Sequence, residues 1–100
     1  MKKEELKVTQ GSQNVFTDLG FDIEESQNLK IRADLMLSLR SFIQSQGGTQ
    51  QKVADFFGET QPRISDLMTE DIERFSIDKL VKMLSCASLE VRVEVGMKAA

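Results

Sequence analysis

Two threonines, each set just after a glycine break and each opening a short run with inward-facing apolar residues, constrain this chain more than any other feature. Glycine tolerates the left-handed conformation that closes a helix, so Gly47-Gly48 and Gly58 read as stops. Thr49 and Thr60 read as N-caps, whose side-chain oxygen accepts a hydrogen bond from a free backbone N–H. Between these marks a helix through Val53, Ala54 and Phe57 has room for barely nine residues. Pro62 falls in the first turn of the next helix, where its missing N–H costs no hydrogen bond, and Ile64 and Leu67 then face inward.

The flanks supply the rest of an all-α fold. Residues 1–13 are polar and read as a flexible N-terminal arm, with residues 14–100 as one domain. Val15-Phe16-Thr17-Asp18-Leu19-Gly20-Phe21 suits a short helical turn pinned on the core. From about Gln27 to Gln46, Ile31, Leu35, Leu39, Phe42 and Ile43 recur at the helical period, with Arg32, Arg40 and Gln44 on the other face. After Thr69-Glu70-Asp71, Ser76 caps a last helix facing inward through Ile77, Leu80, Val81 and Leu84 and ending near Cys86. Leu89-Glu90-Val91-Arg92-Val93-Glu94-Val95 alternates apolar and charged and predicts a C-terminal β-strand. The expectation is a bundle of about five helices followed by that strand.

Two short helices joined by a tight glycine turn are the frame of the helix-turn-helix. Counting from Gln50, the fifth position is Ala54, small enough for the helices to approach, and the ninth is Gly58, which the turn requires. Val53, Phe57, Ile64 and Leu67 fill the shared core. The residues left outside are expected to meet DNA: Thr49, Gln50 and Lys52 at the start of the first helix, and Thr60, Gln61, Arg63, Ser65 and Asp66 on the second. Arg63 suits paired hydrogen bonds to guanine and Gln61 to adenine, while Ser65 and the N–H groups at the helix starts suit phosphates.

Gly47-Gly48-Thr49-Gln50-Gln51-Lys52-Val53-Ala54 followed by Gln61-Pro62-Arg63-Ile64-Ser65-Asp66-Leu67 resembles the phage-repressor and Cro-like (XRE-type) transcription factors. Asn14 to Phe21 upstream and Phe75 to Leu84 downstream look like the compact HigA-like antitoxins, so the resemblance covers most of residues 14 to 95. It implies a lambda-repressor-like fold, a dimer on operator DNA that represses its own operon, and neutralisation of a RelE-type ribonuclease toxin. One departure is Glu59, which stands where that family has an apolar turn residue. A carboxylate there is expected to loosen the turn or repel phosphates.

Charge and composition bound the alternatives. The net charge of −3 argues against coating nucleic acid by charge alone. From Ile31 to Met68, Arg32, Arg40, Lys52 and Arg63 are balanced by Asp34, Asp55, Glu59 and Asp66. Cys86 has no second cysteine to pair with, and a lone thiol beside an apolar helix face reads as inert packing, with redox sensing the alternative. Glu70, Asp71 and Glu73 read as a solvated helix start and not a metal site, since histidine and calcium-loop spacing are lacking. With no histidine base or phosphate-cradling glycine loop, neither catalysis nor a cofactor is expected. No apolar run approaches a signal peptide or a membrane span, and the expected location is cytoplasmic.

A single strand in a helical chain leaves its backbone hydrogen bonds unmet unless a second chain joins it. Leu89, Val91, Arg92, Val93 and Val95 are therefore expected to pair antiparallel in a homodimer. Centring that pairing on Val91 or Val93 sets Arg92 opposite a glutamate, whereas centring on Arg92 opposes like charges. The leading functional reading is a dimeric repressor that is also an antitoxin. A regulator without a toxin and a protein-interaction module that no longer binds DNA stand beside it.

Overall fold

The computed structural model describes residues 15–97, so the expected arm at 1–13 lies outside the described residues. Five α-helices and one 3-10 turn follow in order: α1 (Val15–Asp18), α2 (Ile23–Gln46), α3 (Gln50–Phe57), α4 (Gln61–Met68), the 3-10 turn (Ile72–Arg74) and α5 (Ile77–Cys86). All regular structure among the described residues is helical.

The capping signals act as the chemistry of their residues requires. Thr49 accepts from the Lys52 N–H at 3.2 Å, Thr60 from Arg63 N–H at 3.3 Å and Ser76 from Lys79 N–H at 3.1 Å. Asp22 does the same for Glu25 N–H at 2.7 Å, which starts α2 at Ile23 instead of about Gln27. The apolar period alone places the start late because the first turn of α2 carries Glu24, Glu25 and a serine. That serine, Ser26, is nevertheless buried, its hydroxyl donating to the Phe21 carbonyl at 3.2 Å.

α2, about 36 Å long at 1.5 Å per residue, is the spine against which α4 and α5 pack. Leu35, Met36, Leu39 and Ile43 from α2 meet Val53, Ala54, Ile64, Leu67, Phe75, Leu80, Met83 and Leu84 in one buried cluster. Ile31 and Phe42 border it only partly buried. The α1 turn is pinned less firmly than its apolar content suggests. Phe16 and Phe21 meet edge to face at 6.1 Å, but Val15 and Leu19 are exposed.

The link from α4 to α5 is held by main-chain bonds and two arginines of α2. Glu70 adopts a left-handed φ of 63° and its N–H donates to the Leu67 carbonyl at 3.2 Å, closing α4 without a glycine. The Glu70 carboxylate pairs with Arg40 at 2.9 Å, while Arg32 Nη1 donates to the carbonyls of Ile72 and Phe75 at 3.2 and 3.3 Å. Phe75 is thereby fixed in the core, 1% exposed.

The expected C-terminal strand is not formed: residues 89–97 have no regular secondary structure. After Ser88, whose φ of 63° turns the chain, Leu89 and Val91 rest against the core cluster. Val93 and Val95 are 65% and 90% exposed. An alternating sequence makes a segment competent for pairing, but a strand exists only when a ladder partner supplies its hydrogen bonds, and no other strand is present among the described residues.

Candidate nucleic-acid interface

The unit formed by α3 and α4 is set by its glycine turn. Gly58 takes a left-handed conformation (φ 68°, ψ 34°). Its N–H and that of Glu59 return to the carbonyls of Asp55 and Ala54 at 3.3 and 2.8 Å, which satisfies the end of α3. Ala54 is fully buried beneath this turn and lets the two helices approach.

Glu59 corrects the expectation drawn from its charge. Its carboxylate is 15% exposed and forms an ion pair with Lys79 of α5. The turn is therefore tied to α5, and the charge is answered within the protein instead of facing phosphates unpaired.

Burial of Ile64 and Leu67 orients α4. At 100° per residue the opposite face carries Pro62, Ser65, Asp66 and Thr69. Pro62 and Thr69 are exposed, Ser65 and Asp66 partly so. The Thr69 hydroxyl donates to the Ser65 and Asp66 carbonyls, both at 3.1 Å. Gln61 lies on the flank, exposed, and its side-chain amide bonds to none of the described residues. Thr49, Gln50, Lys52 and Thr60 are all exposed along the same pair of helix starts. The Thr49 and Thr60 hydroxyl oxygens accept from the backbone and keep their O–H free to donate. The start of α4 offers few backbone donors, because Pro62 has none and Arg63 N–H is already taken by Thr60.

Arg63 is placed differently from the other expected contacts. Its guanidinium lies over the Phe75 ring, 4.9 Å from the centroid, and Nη1 donates to the Arg74 carbonyl at 3.2 Å. It is turned toward the protein and partly buried. Asp66 has a cationic neighbour, Arg74, 3.8 Å away.

Pro62, Thr69 and Arg74 also border this surface and were not among the residues expected there. The first two were within reach, since they stand three or four residues from Ser65 and Asp66 and so share their face. Arg74 was not, because only the fold brings the 3-10 turn that carries it beside Asp66 of α4.

The remaining singled-out groups are answered by neighbours. Glu70 pairs with Arg40, Asp71 pairs with Arg74 at 2.8 Å, and no cluster suited to a metal ion occurs among the described residues. Cys86 is exposed instead of packed inside, its Sγ 3.7 Å from the Phe56 carbonyl. No described helix is long and apolar enough to cross a membrane.

No curated protein matches the chain. A family model described as a helix-turn-helix domain matches residues 15–97, the whole span whose capped helices and glycine turn are described above. The chain belongs to that family of helix-turn-helix domains.

Proposed function

We propose that the protein is a sequence-specific DNA-binding transcriptional repressor that presents α4 to the major groove as a homodimer. The observation that carries this reading is the exposed, unengaged row of Gln50, Lys52 and Gln61 along the starts of α3 and α4. Gln side chains read adenine through paired hydrogen bonds and Lys neutralises phosphate. The test is binding to a duplex carrying the upstream region of its own reading frame, across a salt series, for wild type and Gln61→Ala. Selective loss of the specific component in the variant supports the reading. Equal weak binding, or none, moves it to the protein-interaction module.

Dimerisation through residues 89–95 supports the same role. Val93 and Val95 expose apolar surface on a segment that forms no strand among the described residues, where Arg92 pairs with Glu90 of the same chain at 3.5 Å, and the Glu90, Arg92, Glu94 pattern is self-complementary in two antiparallel registers. A two-fold dimer sets half-sites about one DNA turn apart, roughly 34 Å. A monomer at micromolar concentration, or an oligomeric state unchanged by deleting residues 89–100, would overturn it.

The finer role, antitoxin of a type II pair that neutralises a RelE-type ribonuclease and autoregulates its operon, rests on the sequence resemblance alone. Coexpression with adjacent reading frames tests it: stoichiometric copurification of a toxin supports the role, and failure across all frames leaves the stand-alone regulator.

A further inference from the structure

The link between α4 and α5 gathers Arg63, Asp66, Asp71 and Arg74 at one edge of the outer face of α4. Arg74 is held through its main chain and through one side-chain hydrogen bond, with a second carboxylate nearby. Its carbonyl accepts from Arg63 Nη1 at 3.2 Å, its Nε donates to Asp71 Oδ2 at 2.8 Å, and its Nη1 stands 3.8 Å from Asp66 Oδ2. The side chain is still 62% exposed, and Nη2 bonds to none of the described residues. Exposed ion pairs add little to stability, so a cation fixed this closely at the surface is poorly explained by folding.

We propose that Arg74 contacts a backbone phosphate of duplex DNA, with Asp66 and Asp71 as its positioning residues. The inference rests on the DNA-binding reading of α4. A guanidinium is a planar fork of five N–H donors. The Asp71 carboxylate fixes its direction through Nε, with Asp66 3.8 Å from Nη1, while the Nη2 donors stay free for phosphate oxygens, which such a fork matches well. The arrangement also answers a difficulty of charge. Asp66 lies on the outer face of α4, where an unpaired carboxylate repels DNA; Arg63 and Arg74 beside Asp66 and Asp71 leave this cluster without net charge. Prior fixing of the side chain spares its ordering on binding.

The experiment follows the full chain binding a fluorescently labelled duplex that carries the upstream region of its own reading frame, by anisotropy across a salt series. Each phosphate neutralised adds about 0.9 to the slope of log affinity against log salt. Arg74→Ala is expected to lower that slope by about 0.9 and to weaken binding roughly five- to ten-fold near 0.1 M salt. Arg74→Lys, which keeps the charge and loses the fork, is expected to restore the slope with part of the affinity. Arg74→Gln keeps N–H donors without the charge and serves if the alanine variant unfolds, with the slope reduced as in Arg74→Ala. A wild-type slope and affinity in the folded alanine or glutamine variant overturns the inference while leaving DNA binding intact. No binding by wild type at any salt overturns both.

Discussion

The Arg63 guanidinium stacks on Phe75, 4.9 Å from the ring centroid, and ties the start of α4 to the residue that anchors the α4–α5 link in the core. A side chain of this type on the second helix of a helix-turn-helix is naturally read as a base reader. Here its face is spent on an aromatic ring and its Nη1 on a carbonyl.

Arg63→Ala is therefore expected to act through positioning. Loss of a partly buried cation–π contact and one hydrogen bond lowers stability by about 1 to 2 kcal/mol. DNA affinity should fall by the same factor on specific and scrambled duplexes, with an unchanged salt slope. Chemical denaturation and a paired binding series check this, and selective loss at one base pair would return Arg63 to base reading.

Glu59 and Lys79 are expected to be coupled. In a double-mutant cycle of Glu59→Ala and Lys79→Ala the interaction energy should be about 0.5 to 1 kcal/mol, because the pair is only partly withdrawn from water. It should shrink as salt rises from about 0.05 to 1 M. A coupling of zero would mean that the turn and α5 are joined by apolar packing alone.

Gly58→Ala should cost about 1 kcal/mol of stability, since the left-handed backbone there penalises a Cβ. A Cβ at this position would meet nothing within 4 Å, so the cost is conformational and not steric. Gly58→Asn is expected to recover part of it, because asparagine tolerates this region. Equal losses in the two variants would point to a clash instead.

With the proposed pairing of residues 89–95, Arg92→Glu should weaken self-association at least ten-fold, about 1.4 kcal/mol, because either favourable antiparallel register then opposes glutamate to glutamate. Sedimentation of wild type and variant measures it. Unchanged association would place the dimer contact outside residues 89–95.

Much of the fold was legible because caps and glycines are local devices. Thr49, Thr60 and Ser76 mark α3, α4 and α5 through hydrogen bonds spanning three residues, and Gly47 and Gly58 stop helices by their own backbone freedom. The early start of α2 at Ile23 was missed because its first turn is polar, although Asp22 and Glu25 carried a capping signal. The close of α4 at Glu70 was illegible for another reason. Its left-handed turn uses no glycine, and its carboxylate is paired with Arg40, thirty residues away in sequence.

The sequence by itself determined the helix boundaries around the glycine turn, the burial of Ala54, Ile64 and Leu67, and hence membership in the helix-turn-helix family. Only the tertiary structure decided which charged groups face outward. Arg63 turns in because Phe75 is buried beside it, Glu59 is answered by Lys79 from another helix, and Arg74 stands near Asp66 of α4. Periodicity reports which face of a helix meets the core, whereas the direction of a long charged side chain depends on partners brought close only by the fold. The terminal valines show the same divide, for alternation makes a segment able to pair and a strand needs a second edge to pair with.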